Sequence, residues 1–273
     1  MELLRALGAL CEPPTPAHRR IAEALELPGE PRDDDYADVF LFQLYPYASV
    51  YLGAEGKLGG EARDRVAGFW RALGLVPPAE PDHLAALLGL HAELAERQAP
   101  AEWRRALLWE HLLSWTPPYL AKLEEVAPPL YRRWAELLRE ALVVEADRLG
   151  PLPVEPLAHR EAPALEPPSE VGGAAFLEQL LAPVRTGFVL VRDDLVAAGR
   201  ELGLGLRVAE RRYVLEALLS QDAPGTLRWL AAYAGGWAAR HETEFWSGRA
   251  AAAAALLTET AQEAEEQEVA HAR

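Results

Sequence analysis

The chain carries a single cysteine, Cys11, in 273 residues. No intramolecular disulfide can form, which fits a reducing compartment, and no Cys-x-x-Cys pair exists for metal or redox chemistry. Lysine is nearly as scarce: of 27 basic residues, only Lys57 and Lys122 are lysines. Against them stand 42 acidic residues, giving a formal net charge of −15. Nucleic-acid phosphates need clustered positive charge, so no nucleic acid is expected as a partner, and no anionic membrane surface either. An acidic protein steers basic partners toward itself, although acidity also serves plain solubility. No apolar run approaches the ~20 residues that span a bilayer, so no stable membrane insertion is expected. The opening residues, Met1-Glu2-Leu3-Leu4-Arg5, lack the basic n-region of a signal peptide, and a cytoplasmic location is expected. Alternating strand patterns are missing too. Phe188-Val189-Leu190-Val191 comes nearest to one, and a buried lead-in to a helix explains it equally well.

Several chemistries are missing as well. There is no H-E-x-x-H, no H-x-x-x-H and no G-x-S-x-G. His83 and His91 are eight residues apart, ~12 Å along one helix, too far to share an ion. No metal and no cofactor are expected. Gly53, Gly56, Gly59 and Gly60 lie close together but lack the Lys-Ser/Thr that follows a phosphate-cradling loop. Cys11, beside Pro13-Pro14, reads as a structural thiol, and His111, among apolar neighbours, as a core histidine.

What is present is helical periodicity. Val66, Phe69, Trp70 and Leu73 follow an i, i+3, i+4, i+7 pattern that Gly74 is placed to end. Leu84, Leu87, Leu88, His91 and Leu94 share a face. Thr116 is a natural N-cap, with Pro117 at the first helical position. Leu130, Tyr131, Trp134, Leu137, Leu138, Ala141 and Leu142 make a long stripe. Six prolines between 151 and 168, closed by Gly172-Gly173, read as an extended linker over 150–172. Helical stripes resume with Phe176, Leu177, Leu180 and Leu181, then Leu195, Val196 and Leu202, then Val208, Val214, Leu215, Leu218 and Leu219, and last, started by Pro224, Leu227, Leu230, Tyr233 and Trp237. The organisation expected is an all-α fold: a helical core over 1–149, the proline-rich linker over 150–172, a C-terminal helical portion over 173–249, and an alanine- and glutamate-rich helical tail over 250–273 whose polar end frays.

One polar device interrupts the apolar stripes. Glu80-Pro81-Asp82-His83 opens the leucine-rich helix that ends near Arg97. Proline suits the first helical position, and a carboxylate in the first turn offsets the positive end of the helix dipole. On residues alone this is a helix cap containing a histidine.

Glu80-Pro81-Asp82-His83-Leu84 also resembles the E-P-x-D-H signature of the TorD/DmsD/NarJ family of molybdoenzyme maturation chaperones, without the residue between Pro and Asp. Further stretches agree in order: Leu44-Tyr45-Pro46-Tyr47 through Gly53, Gly59-Gly60-Glu61-Ala62-Arg63-Asp64-Arg65-Val66, Trp109-Glu110-His111-Leu112-Leu113-Ser114-Trp115, and Pro129-Leu130-Tyr131-Arg132-Arg133-Trp134. The similarity spans roughly residues 36–145. It implies a TorD-like helical chaperone core, extended here by the C-terminal portion. It also implies a non-catalytic cytoplasmic role: binding the twin-arginine signal peptide, or the apo catalytic subunit, of a molybdopterin-dependent oxidoreductase before cofactor insertion and export. By position, signal-peptide recognition falls on Asp82 and His83, with Glu80 as the signature's acid. A twin-arginine peptide is two arginines followed by an apolar stretch. It wants carboxylates at a rim and aromatics along a channel, which adds Tyr45, Tyr51, Trp70, His111 and Trp115 to the peptide-binding set. The protein is expected as a monomer or dimer. Two other readings stay open: an all-helical interaction or regulatory protein unrelated to molybdoenzymes, and a small helical hydrolase using Asp82, His83 and His91.

Overall fold

A computed structural model describes residues 1–207 and 209–271. Val208, assigned above to a helical stripe, and residues 272–273 at the end of the expected tail lie outside the described residues. About 70% of the structure is helical, and no strand forms among the described residues, so the fold is all-α. The chain divides into two compact units, one of residues 1–53 and 57–161, the other of 54–56 and 162–273.

The first unit runs α1 (Glu2–Ala9), α2 (Pro16–Ala24), α3 (Asp33–Tyr36), α4 (Ala48–Leu52), α5 (Gly60–Ala72), α6 (Leu84–Glu96), α7 (Ala101–Ala106), α8 (Thr116–Val126), α9 (Pro129–Leu149) and α10 (Leu157–Arg160). Two π-helical stretches, Ala37–Gln43 and Leu107–Leu112, continue α3 and α7. Their wider turns are closed by Leu44 N donating to Val39 O and Leu113 N to Leu108 O, both at 2.7 Å. Most of the stripe on α9 is core, as its spacing predicts: Leu130, Tyr131, Trp134, Leu138 and Leu142 are buried, whereas Leu137 and Ala141, at its edge, are half-buried. The Trp134 indole donates to Leu7 O at 2.8 Å and ties α1 to α9. A Cβ on Gly8 would meet Leu88 Cβ at 3.3 Å, so the small residue lets α1 lie close against α6. Cys11 is fully buried and donates to Gly8 O at 3.0 Å, and burial pushes its thiol pKa up, as an inert structural thiol requires.

Helix ends follow chemistry with two differences from the sequence reading. Gly74 ends α5 as expected: it takes φ +74, Gly74 N donates to Arg71 O, and Leu75 N to Trp70 O, a Schellman arrangement. Thr116 does not cap α8 through its side chain. It is the first helical residue, and its hydroxyl donates back to Leu112 O at 3.0 Å. The leucine-rich helix starts at Leu84 and not at Pro81, because residues 80–83 are held by other partners.

The second unit comprises α11 (Pro168–Val171), α12 (Gly173–Leu180), α13 (Pro183–Thr186), α14 (Arg192–Glu201), α15 (Arg211–Gln221), α16 (Ala223–Arg240) and α17 (Glu244–His271). Helices α16 and α17 form a long antiparallel hairpin, and α16 is capped by Asp222, which accepts from Gly225 N at 2.8 Å. Phe188, Val189, Leu190 and Val191 are buried without helix or strand. Side chains satisfy this backbone in place of a ladder: Tyr233 Oη donates to Val189 O, Arg211 to Leu190 O, and Asp194 accepts from Val191 N. Within the proline-rich stretch, α10 and α11 are short helical turns, and Ala158 and His159 are buried.

Candidate functional site

Residues 80–83 lie beside the loop that leads into α4. Tyr47 and His83 form an isolated antiparallel bridge. Ala48 N donates to Asp82 O at 3.0 Å and Leu84 N to Pro46 O at 2.8 Å. The two segments, distant in sequence, are therefore zipped together by backbone.

Side chains then divide the work. Asp82 is 1% exposed, and its Oδ2 accepts from Ser49 N at 3.1 Å, in the first turn of α4. It caps that helix from across the chain. Ser49 is itself buried, and its Oγ accepts from Gly59 N at 3.1 Å, which carries the tie into the glycine turn before α5. Gly56, Gly59 and Gly60 all take positive φ, so this glycine cluster serves turn geometry. The Trp70 indole of α5 donates to Pro81 O at 3.4 Å. The segment thus staples α4, α5 and α6 together.

His83 is the N-cap of α6. Its Nδ1 accepts from Ala85 N at 3.1 Å, so the neutral tautomer carries its proton on Nε2. Burial holds its pKa below 6.5, against the nearby charges of Glu80, Glu12 and Asp82. Glu80 is exposed, and its Oε2 accepts from Tyr47 Oη at 2.7 Å. The Tyr47 and His83 rings meet edge-on, 4.7 Å apart. The sequence reading had Pro81 start the helix while Asp82 and His83 looked outward. The structure has Asp82 turned inward, His83 as cap and Glu80 at the surface, because Ser49 N and Ala85 N are donors that the first turns of α4 and α6 leave without backbone partners.

Glu80 and His83 line a groove of about 620 Å³ together with Tyr47, Tyr36, Glu12 and Arg5, and the small residues Ala85, Ala86 and Gly89 of α6 form one wall. Arg5 is engaged, donating to both oxygens of Glu96 at 2.8 and 3.0 Å. The other residues singled out in the sequence lie elsewhere. Tyr51 stacks on Trp115 at 5.2 Å in the core, with Tyr119 against both. His111 is buried against Phe69 at 4.7 Å, and burial, with the Arg65 charge, lowers its pKa to about 4. Tyr45 and Trp70 are half-buried and do not line this groove. Tyr36, Tyr47 and Glu12 were not singled out for the site. Tyr47 stands inside the Leu44-Tyr45-Pro46-Tyr47 stretch, whereas nothing in the sequence links Glu12, on the turn after α1, to residue 80.

The constellation for a hydrolase is not assembled. His91 is buried, with Nε2 3.2 Å from Glu145 Oε2, which also accepts from Arg104 at 3.0 Å, while Asp82 faces Ser49. No group of three or more metal-binding side chains occurs among the described residues. No helix is long and apolar enough to cross a membrane among those residues. In the second unit a separate groove of about 460 Å³, walled by Phe176, Leu177, Leu219 and Leu227, holds none of the sequence-predicted site residues.

The described residues define an all-α protein in which the signature segment staples three helices. Residues 9–121 match the nitrate reductase delta subunit family, and over that segment the chain is similar to this TorD-like family of molybdoenzyme maturation chaperones. The match contains the signature and every groove residue except Arg5, and it meets α1 only at Ala9. That family's general role is the maturation of a molybdoenzyme by a chaperone. No curated protein matches the chain in sequence.

Proposed function

We propose that the groove between α1, residues 78–83 and α6 binds the arginine-bearing signal segment, or the corresponding part of the apo catalytic subunit, of a molybdopterin-dependent oxidoreductase, with nitrate reductase as the client that the family name suggests. The work takes place in the cytoplasm, before cofactor insertion and export. The observation that carries this reading is the meeting of Glu80, Glu12 and His83 around one groove inside the family-matched segment. Two rim carboxylates suit two guanidinium groups, since Arg–carboxylate pairs are the strong, orienting contacts. Tyr36 and the alanines of α6 offer apolar wall to the residues that follow. The His83 Nε2–H is a donor suited to a peptide carbonyl. Asp82 acts from beneath by holding the signature in place, and Tyr51, His111 and Trp115 act as the core that supports it. The net charge of −15 adds long-range attraction for a basic peptide.

Titration calorimetry of the full chain with a synthetic twin-arginine peptide tests this. Micromolar affinity, worth ~8 kcal/mol, is expected. The Glu12→Gln/Glu80→Gln double variant should bind at least about tenfold more weakly, and the difference should shrink at high salt. No binding by the wild-type protein would overturn the reading. Equal binding by both proteins would remove this groove as the site.

A further inference from the structure

We propose that Tyr47 sets the preference of this groove for arginine over lysine, by holding the Glu80 carboxylate in a fixed plane at the rim. The inference rests on the peptide-binding reading above. Glu80 is exposed and sits on a turn, outside any helix. An unrestrained glutamate spreads over many rotamers, and ordering it costs up to ~2 kcal/mol. Tyr47 removes that freedom. Its hydroxyl donates to Glu80 Oε2 at 2.7 Å, the range of charge-assisted O–H···O⁻ bonds.

The tyrosine is itself a fixed post. Its backbone pairs with His83, and the flanking bonds Ala48 N to Asp82 O and Leu84 N to Pro46 O hold the strand-like segment on both sides. Its ring lies edge-on to His83 with an interplanar angle of 77°. A carboxylate offers about four acceptor positions, and the tyrosine uses one. The remainder of Oε2 and all of Oε1 stay open in a plane the protein defines. A guanidinium fork needs two oxygens in one plane, whereas an ammonium is a point charge that does not. Fixing the plane therefore favours arginine and leaves lysine nearly indifferent.

Fluorescence anisotropy with two labelled peptides on the full chain tests this, one carrying the paired arginines and the other lysines in their place. Wild type should prefer the arginine peptide. Tyr47→Phe keeps the ring and removes the donor. It should weaken the arginine peptide about five- to tenfold and the lysine peptide less than about twofold. Tyr47→Phe added to Glu80→Gln should cost nothing beyond Glu80→Gln alone, since the tyrosine acts through that carboxylate. A purely structural role would weaken both peptides alike and add to the Glu80→Gln loss, and either result overturns the inference. So does an unchanged preference in Tyr47→Phe, which leaves the groove reading standing. Wild type that binds neither peptide overturns both.

Discussion

Asp82→Ala puts the inward role of the signature aspartate to the sharpest test. Asp82 is 1% exposed and accepts from Ser49 N at 3.1 Å. Removing the carboxylate strands that N–H in a buried place, because Ser49 sits in the first turn of α4, where no intrahelical carbonyl reaches it. A buried donor without a partner costs ~1–3 kcal/mol, and capping deletions average about 1. The small space left by the lost carboxylate adds to this, so the expected loss is about 2–3 kcal/mol. Asp82→Asn keeps an acceptor oxygen and loses only the charge assistance, about 1 kcal/mol. The assay is urea unfolding of the full chain combined with hydrogen exchange over residues 44–53, which isolates the first unit from any separate transition of the second. Where exchange is limited by opening of that unit, 2–3 kcal/mol makes the Ser49 amide exchange about 30- to 150-fold faster. Glu80→Gln serves as control and should stay within about 0.5 kcal/mol of wild type, since its side chain is exposed. Asp82→Ala with wild-type stability and unchanged protection at Ser49 would refute the structural role and return the aspartate to the surface.

Two further outcomes follow from the same geometry. Acid should destabilise the protein between pH 6.5 and about 4. Burial lowers the pKa of His83, His91 and His241, and that of His111 to about 4. The unfolded chain therefore takes up protons first as pH falls below ~6.5, and the stability present above that value is lost on the way down, about 3 kcal/mol from His111 alone. Urea midpoints measured across that range check it, and a flat profile there contradicts buried neutral histidines. Gly187→Ala should destabilise the second unit by more than about 2 kcal/mol, because Gly187 takes φ +73 and a Cβ there would collide with the Ala250 backbone nitrogen of α17. Thermal unfolding of the variant decides it, and a change under about 0.5 kcal/mol would show that α13 and α17 are not packed so closely.

Much of the fold was legible because helices announce themselves locally. The α9 stripe and the Gly74 stop both depend on spacing and backbone chemistry within a few residues. The buried run from Phe188 to Val191 was legible as buried but not as irregular, because its hydrogen-bond partners, Tyr233 and Arg211, come from helices far along the chain. The π-helical stretches carried no signal, since the composition of Ala37–Gln43 suits an ordinary α-helix equally well.

The signature shows the same division at the scale of single atoms. The sequence alone determined that an acid, a proline, an aspartate and a histidine precede an apolar helix, and that this device resembles the signature of a family of chaperones. It could not decide which side chain caps which helix, because the donor that Asp82 serves lies 33 residues upstream. Only the tertiary structure turned Asp82 inward, gave His83 the cap of α6, and brought Glu80, Tyr47 and Glu12 to one groove. The physical reason is that periodicity reports which face of a helix is buried, whereas a capping hydrogen bond is settled by whichever orphan N–H folding brings within about 3 Å.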